Sequence, residues 1–237
     1  AAYAQLEYKL SQELEFVAGA RITHDKKDSQ FRFDLTEAVP PVPTTLIPKQ
    51  LYSKTKPNFM VGLNWTPNSD TLVYGKYSTS FVSGGSNAGL VYDPETASSF
   101  EVGLKADLLD RKLRANLALF HVTYNHFQSP QGTGNGPSRV IAVNQLTPIY
   151  GATLANLLAD VLSTFVVDQG KVRAQGFELE LTAAPTRGLI LGAGIGYTDV
   201  KYPEINPLIL NANNQRVDVT ARPKWTVSLN ATYETQP

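Results

Sequence analysis

His24, His121 and His126 are the chain's three histidines, the side chains best suited to hold a transition metal or pass a proton near neutral pH. A zinc site gathers its ligands around one point. His121 and His126 lie five apart on one predicted strand, which sends them to opposite faces, so shared ligation would need a bulge or a distant partner. Two carboxylate pairs, Glu178 with Glu180 and Glu101 with Asp107, each share a strand face, the arrangement that general acid–base work uses. Neither pair has a histidine or a nucleophile nearby in sequence, and a solvated polar wall accounts for them better. The run GAGIG (Gly192–Gly196) has the glycine spacing of a nucleotide loop, but such a loop opens a helix. Here Tyr197, Thr198 and Asp199 continue a strand that Pro203 ends. GTGNG (Gly132–Gly136) lacks the Gly-Lys-Ser/Thr ending of a phosphate loop, and cysteine is absent, which removes thiolate sites. Asn64-Trp65-Thr66 and Asn230-Ala231-Thr232 match the glycosylation triplet but fall inside predicted strands. No constellation for covalent chemistry emerges, and the chain is expected to be neither an enzyme nor the holder of a metal or cofactor.

The elements that carry these residues alternate with period two, the signature of half-buried strands. In FEVGLKADLLDRKLRANLALF, Phe100, Val102, Leu104, Ala106 and Leu108 oppose Glu101, Gly103, Lys105 and Asp107. After a tight turn, Leu113, Ala115, Leu117 and Leu119 oppose Lys112, Arg114 and Asn116. The same rhythm sets Leu14, Phe16, Ala18, Ala20 and Ile22 on one face, and likewise Phe59 to Trp65, Phe177 to Ala183, Leu189 to Tyr197 and Trp225 to Tyr233. From Thr71 to Phe81 aromatic residues fall on both faces. After Ala118 the apolar parity switches to Phe120, Val122 and Tyr124, which predicts a bulge or the strand's exit from a membrane. About nine strands result, most reaching the roughly 9–11 residues that cross a bilayer at a tilt. Short turns at Ser11-Gln12, Pro67-Asn68-Ser69, Leu109-Asp110-Arg111 and Pro185-Thr186-Arg187 alternate with long loops at 25–56, 83–95, 128–171 and 203–221. That rhythm belongs to an outer-membrane barrel with short periplasmic turns and long extracellular loops. The slightly negative mean hydropathy does not oppose it, because alternating strands average out. Lys and Arg balance Asp and Glu with no basic run, which excludes nucleic acid as a partner. The apolar face is therefore expected to meet outer-membrane lipid and the polar face a lumen, with Trp65, Tyr124, Tyr202 and Trp225 as interfacial aromatics. The competing reading is a soluble all-β ligand-binding module with a conventional core. Tyr150 to Val167, with Leu154, Leu157, Leu158, Val161, Leu162 and Phe165 at helical spacing, predicts a short helix within a long outer loop.

Several blocks together resemble the TonB-dependent outer-membrane receptors. LVYGKYSTSFVSGGSN (Leu72–Asn87) is similar to their tyrosine- and serine-rich strand and glycine loop. YDPETASSFEVGLKADLLDRKLRANLALFHVTYNHFQ (Tyr92–Gln128) is similar to their Tyr-x-Pro-Glu block and the two strands after it. RAQGFELELTAAPTRGLILGAGIGYTDVKY (Arg173–Tyr202) and RPKWTVSLNATYE (Arg222–Glu234) resemble the strands that follow. The resemblance implies a plugged barrel of 22 strands. It makes residues 1–237 a partial β-barrel domain lacking the plug, the segment that contacts TonB and the terminal strands. It implies a receptor of the bacterial outer membrane that imports a scarce nutrient, most often a ferric siderophore, with energy supplied through TonB. A passive porin of the same architecture is the alternative. In the resembling family aromatics and cations at the outer strand ends suit aromatic, anionic chelates. On this chain the expected ligand contacts are Arg21, Tyr92, His126 and Arg139, each of which has an ordinary alternative as a solvated rim residue.

Overall fold

Backbone pairing turns the period-two segments into one antiparallel sheet. The computed structural model describes residues 1–33, 45–46, 49–87, 90–132, 137–162, 164–207 and 223–235. Nine long strands lie side by side in chain order: β1 (Ala2–Lys9), β2 (Leu14–Ser29), β5 (Gln50–Asn68), β6 (Thr71–Val82), β9 (Glu95–Leu108), β10 (Leu113–Asn125), β13 (Gly170–Thr186), β14 (Leu189–Ile205) and β15 (Trp225–Tyr233). The sheet is open, with β1 and β15 at its edges. Six short strands pair off outside it: β3 (Arg32–Phe33) with β4 (Thr45–Leu46), β7 (Gly85–Asn87) with β8 (Leu90–Tyr92), and β11 (Gln128–Gly132) with β12 (Thr164–Asp168). All three of these hairpins sit in the long connections.

The short turns are tighter than the sequence predicts, because Pro67, Asn68, Pro185 and Thr186 belong to strands. Asn68 Oδ1 accepts the Asp70 N–H at 2.9 Å, a local side-chain bond that bends the chain. Leu109, Asp110 and Arg111 all take positive φ, 53°, 54° and 63°. Arg111 forks onto Asp70 Oδ1 of the neighbouring turn at 2.8 and 2.7 Å, tying two turns together.

Register turns alternation into continuous rows. Leu14, Trp65, Val73, Leu104, Leu117, Leu179, Ile195 and Val227 are successive cross-strand partners over eight strands. A second row runs through Tyr8, Phe16, Leu63, Gly75, Val102, Leu119, Phe177, Tyr197 and Trp225, touching all nine. Among the described residues nothing covers these rows: Leu119 is 50% exposed, Leu63 47% and Trp65 47%. The hydrophobic core lies instead in the excursion between β10 and β13, where Ile141, Leu146, Leu158, Phe165 and Val167 are at most 1% exposed.

Two sequence expectations change, the bulge after Ala118 and the bounds of the helix. No bulge follows Ala118, since β10 keeps unbroken register with both neighbours. Phe120 instead lies on the polar face directly opposite Gly176, where the absent side chain leaves room for its ring. The aromatics on both faces of β6 have the same cause, because the Tyr74 ring lies flat over Gly103 while Tyr77 stays on the apolar face. The helix α1 runs from Pro137 to Val161, starting well before Tyr150, while Phe165 and Val167 belong to a strand. Proline suits a first helical position, having no N–H to satisfy. Gly151 (φ 74°, ψ 161°) breaks α1 into two pieces. No described helix is long and apolar enough to cross a membrane.

The loop boundaries move as well. Pairing of β2 with β5 continues past His24 and Lys56 to Ser29 and Gln50, although β1 stops at Ile22 and the β5–β6 register at Met60–Ser78. A two-stranded ribbon thus rises from the sheet. Among the expected interfacial aromatics, Trp65 and Trp225 take the apolar face, whereas Tyr124 has the parity of the polar face and packs edge-on against Phe127 at 5.5 Å.

Candidate functional site

Two regions gather polar side chains: the polar face of the sheet and the layer of long connections at one end of it. On the face, Tyr74 donates to Glu101 Oε1 at 2.8 Å and Lys76 Nζ reaches the same oxygen at 3.0 Å. Lys76 and Lys105 stand 5.8 and 6.0 Å from the centre of the Tyr74 ring, within cation–π range. Gly103 makes this stack possible, because a Cβ there would lie 2.3 Å from the ring. Toward the short turns, Arg114 forks onto Asp107 at 2.7 and 3.0 Å.

Glu178 and Glu180 do share the polar face. With Gly194, Gly196, Thr226 and Ser228 they line an open cleft of about 280 Å³. The room left by alternate glycines is already partly filled. Asn230, Ser228 and Thr226 lie opposite Gly192, Gly194 and Gly196, and their side chains come within 2.5–2.6 Å of where Cβ atoms would sit. Small polar residues on β15 lean over the glycines of β14.

The second region is built by sequence-distant ties. Lys27 donates to the Gly84 carbonyl at 2.7 Å, the Gly84 N–H donates to the buried Tyr52 hydroxyl at 3.1 Å, and Ser29 bonds Ser86 at 3.2 Å. These bonds fasten the ribbon to the β7–β8 hairpin. Gln128 then joins that hairpin to the next excursion: its N–H donates to Glu95 at 2.8 Å and its Nε2 to the Asp93 carbonyl at 2.9 Å. The excursion leaves and re-enters the sheet through a narrow neck, where Phe127 and Gly170 are bonded at 3.0 Å and Gln169 and Phe127 at 2.9 Å. Both sides of the neck take positive φ, His126 at 53° and Gly170 at 88°.

Gly170 is required twice over, since an added Cβ would also lie 2.4 Å from the Glu204 carbonyl. Gly170→Ala is expected to cost about 1–3 kcal/mol of local stability. Hydrogen exchange should then quicken across the neck while the sheet stays protected. Unchanged protection there would refute the assignment.

The four predicted ligand contacts fall in different settings. Tyr92, on β8, rests its ring on Gly85. His126 is exposed at the neck, with Nδ1 2.8 Å from Asp168 Oδ2. Arg139, on α1, forks onto Asp160 at 2.6 and 3.1 Å and also reaches Asn156 Oδ1 at 3.2 Å, bridging the two pieces of the broken helix. Arg21 is on the polar face of β2, its Nε donating to Thr23 at 3.1 Å. The connections thus bring Tyr92, His126 and Arg139 into one layer, and Arg21 stands apart on the sheet. His121 and His126 do not converge. No cluster of metal-ligating side chains occurs among the described residues. The ties through Lys27, Tyr52, Gly84 and Gln128 escape sequence reading, because each joins segments 32 or more residues apart.

Two carboxylates give the layer opposite responses to pH. Burial pushes the Glu95 carboxyl up, only partly countered by the Gln128 N–H. The hydrogen bond from Arg139 holds Asp160 below the usual aspartate range. Glu95 therefore favours the folded layer at low pH, and that contribution is lost as pH rises through its raised value. Asp160 contributes above about pH 3.9 and loses its contribution as pH falls through its depressed value. Glu95→Gln, which keeps an acceptor for Gln128, is expected to strengthen protection of residues 90–95 and 127–132 at neutral pH and to leave it unchanged at pH 4. Hydrogen exchange at the two pH values tests this, and equal protection of parent and variant at both would refute it.

Residues 1–237 match the sequence profile of the family described as TonB dependent receptor-like, beta-barrel. The metal-pseudopaline receptor CntO of Pseudomonas aeruginosa is 25% identical over 176 residues, 73% of this chain and 20% of that protein. The probable TonB-dependent siderophore receptor PiuA of Acinetobacter baumannii is 27% identical over 153 residues, 60% of this chain and 17% of that one. Among solved structures, the siderophore receptor PiuA from Acinetobacter baumannii superposes with a TM-score of 0.65 at 20% identity, over 99% of this chain and 31% of that one. The ferric yersiniabactin uptake receptor FyuA from Yersinia pestis gives 0.65 at 14% identity, over 97% and 30%. These structural likenesses concern the fold. The chain spans about a fifth of the length of the curated relatives it matches.

Proposed function

The chain belongs to the TonB-dependent receptor β-barrel family of the bacterial outer membrane, and we propose that it forms part of the wall and outer loop layer of an active-transport receptor. In this reading the nine-stranded sheet is a segment of a larger closed barrel. The short turns are periplasmic, the long connections are extracellular, and the polar face lines a lumen that a plug domain occupies. The whole protein captures a scarce nutrient, a ferric siderophore or similar metal chelate, and imports it with energy supplied through TonB. Binding and conformational change suffice, and no covalent step is involved. One observation carries the reading: the apolar rows across the sheet are uncovered, while the buried core is confined to the loop layer. A soluble module would bury those rows. A passive pore shares the sheet, but the named relatives, a metal-pseudopaline receptor and a siderophore receptor, favour capture of a chelated metal.

Tyr92 and His126, which share the loop layer, and Arg21, on the polar wall, are proposed as ligand contacts. An aromatic ring and cations are the groups that hold a flat, anionic chelate. Arg139 is already shared between Asp160 and Asn156, so its proposed part is to hold the helix pieces in place. The test begins with intact mass and peptide mapping of the native polypeptide in the outer-membrane fraction. It continues with uptake of radioactive iron supplied as catecholate or hydroxamate chelates, with and without TonB. A species several times heavier than this chain, with TonB-dependent uptake, is the expected result. A soluble protein, or uptake indifferent to TonB, would overturn the reading.

A further inference from the structure

The apolar side of β13, β14 and β15 changes character within a few residues. Phe177, Tyr197 and Trp225 sit abreast on it, with ring centroids 4.8 to 6.2 Å apart. Two residues further from the short turns on the same side, Gln175 faces Asp199; two further still, Arg173 faces Lys201. Their partners on β10 are His121 and Thr123. Lys224 curls to this side and places Nζ 2.8 Å from Asp199 Oδ1, while Lys201 Nζ lies 3.5 Å from Oδ2. The Asp199 side chain is only 14% exposed, against 67% for Lys201 and 62% for Lys224. Arg173 is exposed and makes no hydrogen bond or ion pair among the described residues. Two cations therefore hold one carboxylate, with Arg173 one pair further along the same side, opposite Lys201, and His121 alongside Gln175. Lys171 and Glu204, past the register irregularity, pair with each other.

We propose that Arg173, Lys201 and Lys224 form a binding site for the phosphate groups of a lipid headgroup in the outer leaflet. The proposal rests on the reading of the apolar face as lipid-facing. From Phe177 toward the short turns that side of β10, β13, β14 and β15 bears no charged residue, so the boundary between hydrocarbon and charge is sharp. Aromatic rings settle at the membrane–water interface, and the cations begin one step beyond them, at headgroup depth. Phosphates are what they meet there, and a guanidinium can fork onto one. Asp199 holds the two ammonium groups near one another and leaves the cluster positive. The cluster is local. The same rows on β6 and β9 carry Tyr77, Thr79, Phe100 and Ser98, none of them charged.

The intact protein, purified from outer membranes in a non-ionic detergent and stripped of lipid, is titrated with bis-phosphorylated lipid A and followed by native mass spectrometry. Each removed cation is expected to weaken binding about fivefold, so R173Q/K201Q/K224Q loses on the order of a hundredfold. Lys112→Gln, in a short turn, is expected to bind like the parent. Arg173→Gln alone, which breaks no ion pair, covers the case in which the triple variant does not fold, with a fivefold loss expected. Parental affinity in Arg173→Gln or in the folded triple variant would overturn the site. So would equal binding of dephosphorylated lipid A, or displacement by millimolar inorganic phosphate, which would make free phosphate the ligand. Failure of the protein to appear in the membrane fraction would instead refute the proposed function.

Discussion

Leu117→Arg is expected to lower the stability of the membrane-inserted protein by about 2–4 kcal/mol, while Asn116→Arg, one residue away, changes it by less than about 1 kcal/mol. Leu117 sits in the middle of the eight-strand apolar row, with Leu104 on one side and Leu179 on the other. In water a cation there would cost little, since no described residue covers that row. In a bilayer the guanidinium has to enter hydrocarbon or drag water and headgroups toward it. Asn116 looks to the polar face between Lys105 and Glu180, where a further cation finds a carboxylate within one strand. The contrast between adjacent residues is therefore a direct reading of which face meets lipid. Urea titration of the intact protein refolded into lipid vesicles measures it, by tryptophan fluorescence or by the heat-dependent gel mobility of folded barrels. Equal losses for the two variants would mean that the apolar face is not lipid-facing, and the receptor reading would fall with it.

The sheet was legible in the sequence because its determinant is local. A strand side chain's face depends only on parity, and a row of leucines and phenylalanines every second residue leaves a single in-register solution. Leu113 to Leu119 could be assigned without knowing their partners. Parity failed as a guide only where a partner's glycine mattered. Phe120 and Tyr74 look misplaced until Gly176 and Gly103 are seen opposite them, and cross-strand pairing cannot be read from one strand alone. The loop layer was legible only as length and polarity. Its helix was placed by the leucines at Leu154, Leu157 and Leu158, but those residues mark only the second piece. The first piece, from Pro137 to Tyr150, is marked by Ile141, Ala142 and Leu146, spaced for a helix yet interrupted by Pro148. The same residues look different when a proline and a glycine sit among them, because each removes or redirects a backbone bond without preventing the turns on either side. The proposed ligand contacts show the same division. That an arginine at position 139 lies in a loop region is readable, whereas its fork onto Asp160, 21 residues away, is a product of the helix break.

Phe165→Ala is expected to cost about 3–5 kcal/mol, the usual range for emptying a buried aromatic site, and to spend nearly all of it on one part of the molecule. Phe165 has no exposed surface and lies on β12 against Ile141, Leu146, Leu158 and Val167, the core that the excursion between β10 and β13 builds for itself. That excursion is tied to the sheet mainly through its neck and through Gln128, so the sheet receives little of the loss. In the proposed reading, sheet stability comes from the strand ladders and from lipid, neither of which involves Phe165. The variant should therefore insert and keep the heat-dependent gel mobility of the parent, while residues 128–168 lose protection from hydrogen exchange and become sites of proteolytic cleavage. If the loop layer carries specificity, metal-chelate binding should fall at least tenfold while the barrel stays folded. A Leu117→Arg variant predicts the reverse pattern, a weakened sheet with an intact loop core. Observing one shared loss, with sheet and excursion unfolding together in both variants, would show that the two form a single cooperative unit and that the loop core also supports the wall.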